Sequence, residues 1–234
     1  MTGPLALVGS GEYLPVMTGI EASLIAGRPP KYVQLPTAAA PEGDASLKRW
    51  VELGLAQAER LGVEGVPVVV KNRADADDPA LAALVEGAGL VYLSGGNPPY
   101  VASVLRGTLV WSAIRKAWEG GAALAGCSAG AMALTSWVPD IRHPLRDPEP
   151  GLGAVEHLRV IPHFDRFVGR MPELVGNYLA KKAHDVTLIG VDEDTALIRD
   201  DGVWTARGRQ AVWVLTADGR TPYRDGEAVP VTAS

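Results

Sequence analysis

The chain has 234 residues, 47% of them hydrophobic and 21% charged, with a net charge of −5. That is enough apolar material for one large α/β domain, and a single domain over 1–234 is expected because no linker divides it. The acidic balance and the lack of any Lys/Arg run argue against nucleic acid or an anionic membrane surface as partner. With Cys127 as the one cysteine, an intrachain disulfide and a cysteine-based zinc site are excluded.

The N-terminus runs into a strand-like segment without a basic leader or cleavage site. No stretch reaches ~20 uncharged apolar residues, so the expected location is the cytoplasm. In chain order, Leu5–Val8 reads as a short buried strand, ended by the turn Gly9-Ser10-Gly11-Glu12. That turn is no phosphate loop: no Lys-Ser/Thr follows it, and the third glycine of a dinucleotide fingerprint is missing. A helix over 17–26, a strand over Lys31–Leu35, a loop over 36–41 and a helix over 45–61 follow. In the last of these, Leu47, Val51, Leu55 and Ala58 recur at helical spacing up to Gly62.

Residues 66–70 are a continuous apolar run, the pattern of a parallel strand covered on both faces. A short helix over 79–86 precedes the strand Leu90–Leu93, which breaks off in Ser94-Gly95-Gly96-Asn97-Pro98-Pro99. Helices over 100–106 and 109–118 lead to the next strand. Strands alternating with helices at this rhythm predict an α/β fold: a mostly parallel sheet, helices on both faces, functional loops at the carboxyl ends of the strands.

The chemistry concentrates at Gly126-Cys127-Ser128-Ala129-Gly130, a G-x-S-x-G nucleophile elbow between a small apolar strand and a helix-forming segment. Ser128 is the candidate nucleophile. An oxyanion hole on such a fold takes one backbone N–H from the residue after the nucleophile and one from a neighbouring loop, which makes Ala129 and Gly96 the candidate donors. Residues 138–151 hold four prolines and no period and read as a long loop covering the site. Of the four histidines, only His163 ends a buried strand, the place from which a general base reaches a serine at another strand end. Between two apolar strands stand Asp192-Glu193-Asp194, and Glu193 is the candidate acid that orients the imidazole. Segments 203–206, 210–215 and 228–231 read as antiparallel strands that cover a sheet edge and carry no chemistry.

Four stretches occur in an order and spacing that resemble the serine peptidase family containing peptidase E (aspartyl dipeptidase) and cyanophycinase. They are Tyr92-Leu93-Ser94-Gly95-Gly96-Asn97, the elbow, Pro162-His163-Phe164 and Ile189-Gly190-Val191-Asp192-Glu193-Asp194-Thr195-Ala196. The resemblance implies a flavodoxin-like three-layer fold, similar to class I glutamine amidotransferases, with antiparallel C-terminal strands. It implies metal-free, cofactor-free hydrolysis of small peptides or isopeptides involving aspartate, with Asn97 in the substrate pocket. In peptidase E the acid lies fifteen residues after the serine, where this chain has His143, with Asp140 and Asp147 nearby. In cyanophycinase it is the glutamate of a G-x-D-E-x-T-A segment, matched here by Glu193, so a Ser-His-Glu arrangement is the better carry-over. Arg166 and Arg170 partly reproduce the arginines that cyanophycinase places after its His-Phe pair, and are candidates for gripping a substrate carboxylate. The expected partners are a small peptide substrate and, for assembly, a homodimer. Two other classes stay open: a thiol enzyme using Cys127, and a binding protein that has kept the fold without the activity.

Overall fold

The computed structural model describes residues 2–138, 147–168, 186–216 and 218–231. Its main sheet takes, in chain order, β1 (Leu5–Val8), β2 (Lys31–Leu35), β3 (Glu64–Pro67), β4 (Leu90–Leu93), β5 (Ala123–Cys127), β10 (Thr195–Asp200) and β11 (Val203–Gly208). A ribbon joins β6 (Trp137–Val138) to β7 (Glu149–Pro150), and a second sheet holds β8 (Leu158–Ile161), β9 (Thr187–Val191), β12 (Val212–Thr216) and β13 (Gly219–Tyr223). The helices are α1 (Thr18–Ile25), α2 (Asp44–Leu61), α3 (Arg73–Ala76), α4 (Pro79–Ala83), α5 (Pro98–Leu105), α6 (Leu109–Glu119), α7 (Ala129–Leu134) and α8 (Phe164–Val168).

The strand order of the main sheet is β11-β10-β1-β5-β4-β2-β3. Pairing is parallel from β1 through β3 and antiparallel where β10 joins β1 and β11. Side chains alternate across the pleat. Leu5 and Leu7 of β1 and Leu124 of β5 enter one apolar layer with α5, α6 and α7, while Ala6, Val8, Ala125 and Cys127 enter the opposite layer with α1 and α2. The same alternation in β4 sends Val91 and Leu93 one way and Leu90 and Tyr92 the other. Both faces are thus covered, as the apolar run of each parallel strand requires. The result is a flavodoxin-like α/β sandwich of three layers, with the carboxyl ends of β1, β4 and β5 side by side.

Three expectations change in detail. The run 66–70 leaves the sheet at Pro67, and β3 is an edge strand; Val68 and Val70 stay fully buried as irregular chain in the first apolar layer. The helix expected over 79–86 stops at Ala83. Segment 228–231 makes one bridge, Ala228 to Thr205, rather than a strand, whereas Gly219–Tyr223 forms the unforeseen β13. The apolar segments flanking the three acids go to different sheets: β9 binds β8 and β12 in the second, and β10 binds β1 and β11 in the first. The base of the proline-rich stretch is closed by the β6–β7 ladder, with Trp137 opposite Pro150 and Val138 opposite Glu149. The span 139–146, with Asp140 and His143, lies outside the described residues, so the expected cover over the site does too. Among the described residues, no helix is long and apolar enough to cross a membrane.

Candidate active site

Strand β5 ends at Cys127, and Ser128 turns the chain into α7 with φ 49° and ψ −107°, a conformation that residues with a Cβ rarely adopt. The turn is anchored to the central strand: the Ser128 N–H donates to the Val8 carbonyl at 2.9 Å. The flanking glycines are required by contact. A Cβ on Gly126 would stand 2.6 Å from the Gly130 carbonyl carbon, and one on Gly130 would stand 2.3 Å from the Leu93 carbonyl oxygen. Helix α7, buried along its whole length, can therefore sit directly on the ends of β4 and β5. Ser128 remains half-buried at the apex of the turn.

His163 follows β8, in the second sheet, and also has a positive φ of 49°. Its ring is located by the next residue: Phe164 is buried against the Trp213 ring, centroids 5.9 Å apart, and fills the space over Gly190 of β9. The histidine thus arrives from the other sheet at the strand end that carries the serine. His163 Nε2 stands 3.1 Å from Ser128 Oγ, and Nδ1 stands 2.9 Å from Glu193 Oε1. A carboxylate only accepts, so Nδ1 carries the proton and Nε2 is left to accept the serine hydroxyl.

Glu193 lies in the turn from β9 to β10, where the chain passes from one sheet to the other. Its backbone is held on both sides: the Glu193 N–H donates to Asp165 Oδ1 at 3.0 Å, and its carbonyl accepts from Thr195 Oγ1 at 3.0 Å and Gln210 Nε2 at 3.1 Å. Gln210 Nε2 also donates to Asp165 Oδ2 at 3.2 Å. The segment 210–215, expected to carry no chemistry, thus braces the acid. Asp192, 4% exposed, accepts from Trp213 Nε1 at 3.0 Å and from the Ala211 N–H at 3.2 Å. Burial raises its pKa from the ordinary aspartate value, against the pull of the hydrogen bonds it accepts.

The remaining candidates fall around this line of three. Gly96 is exposed at a φ of 139°, while the Gly95 N–H beside it is taken by Glu12 Oε1 at 2.8 Å. Ala129 is the buried first residue of α7. Asn97 caps α5, its side-chain oxygen accepting the Tyr100 N–H at 3.1 Å. Arg166 puts Nε 2.9 Å from Glu193 Oε2 and keeps 71% of its side chain exposed. Arg170 lies outside the described residues, and Asp147 is exposed. Cys127 points into the α1/α2 layer, fully buried, with Sγ 2.8 Å from Glu12 Oε2. Burial and then the Glu12 charge push its thiol well above the ordinary range, the reverse of what a thiolate nucleophile needs. Among the described residues, no group of three or more His, Cys, Asp or Glu side chains is placed to hold a metal ion. Glu12, Asp165 and Gln210 were not singled out as site residues from sequence. The one available signal was the glycine-rich turn that contains Glu12.

Residues 5–206 match the model of Peptidase family S51. The chain is 30% identical over 168 residues to the cyanophycinase of Synechococcus elongatus, covering 66% of this chain and 50% of that protein. It is 31% identical over 170 residues to the cyanophycinase of Trichormus variabilis, covering 67% and 55%. It therefore spans about half the length of the curated relatives it matches. Among solved structures, a peptidase from an acI-B1 Actinobacterium superposes with a TM-score of 0.90 at 41% identity, over 98% of this chain and 97% of that one. A putative peptidase E protein from Listeria monocytogenes EGD-e superposes with a TM-score of 0.63 at 15% identity, over 89% and 100%, a likeness of fold. With a family match that reaches from the first strand to β11, this chain belongs to peptidase family S51.

Proposed function

We propose that this protein is a serine-type peptidase that hydrolyses short peptides, with an aspartyl or other acidic specificity, through an acyl-enzyme intermediate. The observation that carries the reading is the unbroken contact from Ser128 Oγ through both nitrogens of His163 to Glu193 Oε1, at 3.1 and 2.9 Å. In this scheme His163 takes the Ser128 proton as the oxygen attacks the peptide carbonyl, and Glu193 stabilises the imidazolium that forms. The N–H groups of Gly96 and Ala129 hold the developing oxyanion. His163 then protonates the leaving amine, and water releases the acyl group by the reverse roles. Asn97, Arg166 and Arg170 are proposed substrate contacts, Arg166 through the exposed part of its guanidinium. No step calls on a cofactor, and the reaction as drawn belongs to the cytoplasm, with neither nucleic acid nor membrane as partner.

Aspartyl p-nitroanilide and a panel of short α- and β-aspartyl peptides test the reading. Ser128→Ala is expected to lower turnover by ~10⁶-fold, and adding a His163 replacement should lower it little further. Hydrolysis that survives in a folded Ser128→Ala protein would overturn the assignment. A second reading, a cyanophycinase-like isopeptidase acting on β-aspartyl linkages, is favoured by the names of the curated relatives. Preference for the β-aspartyl members of the panel would select it.

A further inference from the structure

The turn Gly9-Ser10-Gly11-Glu12, which the scheme above leaves without a role, lies against three loops of the site. The Gly9 N–H donates to the Thr195 carbonyl at 2.9 Å, against the acid-bearing turn. One residue earlier, Val8 accepts the Ser128 N–H. Glu12 reaches to the other side. Its side chain is buried beneath the elbow, with Oε1 on the Gly95 N–H and Oε2 on the Cys127 thiol, both at 2.8 Å.

We infer that Glu12 is a positioning residue for the oxyanion donor: its carboxylate ties the Gly95 peptide to the floor of the elbow, so that the Gly96 N–H is presented to the carbonyl that Ser128 attacks. The inference rests on the peptidase reading. Its geometric support is that the glycine loop is pinned on both sides of Gly96. Glu12 takes the N–H before it, and the Ala38 carbonyl takes the Asn97 N–H after it at 2.8 Å. The fit around the pin leaves no slack: a Cβ on Gly95 would stand 2.7 Å from Glu12 Oε1 and 3.5 Å from Ser128 Cβ. The carboxylate and the nucleophile's Cβ thus close the space that a side chain at Gly95 would need. A hydrogen bond to an ionised acceptor is among the stronger ones a buried N–H can make. Without it, the Gly95 amide would be left to turn in search of another acceptor, and the amide of Gly96 would turn with it. An oxyanion donor acts only if it is already aimed when charge develops, so lost alignment falls on the transition state rather than on substrate binding.

The test is steady-state hydrolysis of aspartyl p-nitroanilide by four proteins whose folding is checked by thermal melting: wild type, Glu12→Ala, Glu12→Gln and Gly95→Ala. Glu12→Ala is expected to lose ~10²–10³-fold in kcat, the usual scale for a lost oxyanion donor, with KM unchanged within about twofold. Glu12→Gln keeps an acceptor oxygen and should recover to within ~10-fold of wild type. Gly95→Ala, whose methyl displaces the carboxylate, should reproduce the Glu12→Ala loss, and the double variant should lose no more than either single one. Wild-type kcat in a folded Glu12→Ala protein overturns the inference, as does a kcat loss that Glu12→Gln fails to recover. Should Glu12→Ala not fold, wild-type kcat in Gly95→Ala overturns it instead. A wild type that leaves the anilide uncleaved sinks the acidic peptidase reading and this inference together, whereas an active wild type beside an equally active Glu12→Ala sinks this inference alone.

Discussion

At the scale of single residues, the site is marked by its backbone. Among the described residues, five non-glycine residues have positive φ, and four of them, Tyr13, Ser128, His163 and Asp194, stand in the loops that meet at the elbow. Each such conformation costs on the order of 1–3 kcal/mol, so it persists only where its surroundings hold it. Here the Val8 carbonyl holds Ser128, Phe164 locates His163, and the Asp165–Gln210 pair braces the acid turn. Glu193→Gln is expected to lower kcat by up to ~10⁴-fold, because an amide facing Nδ1 permits the wrong tautomer. Asp147→Asn, on an exposed side chain, should leave kcat unchanged; the reverse outcome would return the acid to the proline-rich stretch. The native protein should also fail to react with iodoacetamide until it is unfolded, since Cys127 is fully buried and its thiol is pushed well above the ordinary range. Rapid labelling of the folded protein, with loss of hydrolysis, would revive the thiol alternative.

At the scale of elements, the second sheet decides the geometry, and it was the least legible part of the chain. Strands β1, β2, β4 and β5, the elbow and the long helices declare themselves through local pattern: short apolar runs, glycine turns, a helical stripe. Residues 187–198 declare two strands as well, but a period of two does not say which sheet a strand joins, and β9 and β10 go to different ones. β13, Gly-Arg-Thr-Pro-Tyr, lacks a strand-like apolar run altogether and is recruited by its pairing with β12. The supporting side chains were hidden for a related reason. Glu12 meets Gly95 83 positions away and Gln210 meets Asp165 45 positions away, separations that no local signal spans. One bond between elements is open to direct test. Trp213→Phe removes the indole N–H that serves both oxygens of buried Asp192. The expected cost is about 1–3 kcal/mol, seen as a thermal midpoint several degrees lower; an unchanged midpoint would mean that β9 and β12 do not depend on that bond.

At the scale of the whole molecule, the α1/α2 layer carries an unusual load for an apolar core. Tyr32 and Tyr92 stack there with Tyr13 tilted against them, and Glu21, 1% exposed, accepts the Tyr32 hydroxyl at 2.9 Å. Burial raises the Glu21 pKa from 4.5 to about 7. The native state therefore keeps a proton that the unfolded chain has already released. Its stabilising contribution is full below pH 4.5 and drains away as the pH rises to about 7. At about 1.36 kcal/mol for each pH unit between those two values, the contribution is roughly 3 kcal/mol. Relative to wild type, Glu21→Gln is expected to gain stability by about that amount between pH 4.5 and pH 8, measured by urea unfolding; parallel pH curves for the two proteins would show that Glu21 ionises freely.

The nucleophile rides on one sheet and its base on the other, with the chain crossing between them at Glu193. The 3.1 Å gap from hydroxyl to imidazole is thus a gauge of how the two layers are docked. A slip of an ångström along that seam, too small to register in a melting curve, would already uncouple proton transfer. Mutations buried at the seam should therefore dim catalysis well before they loosen the fold, so that turnover reports the alignment of the two halves more finely than any probe of unfolding.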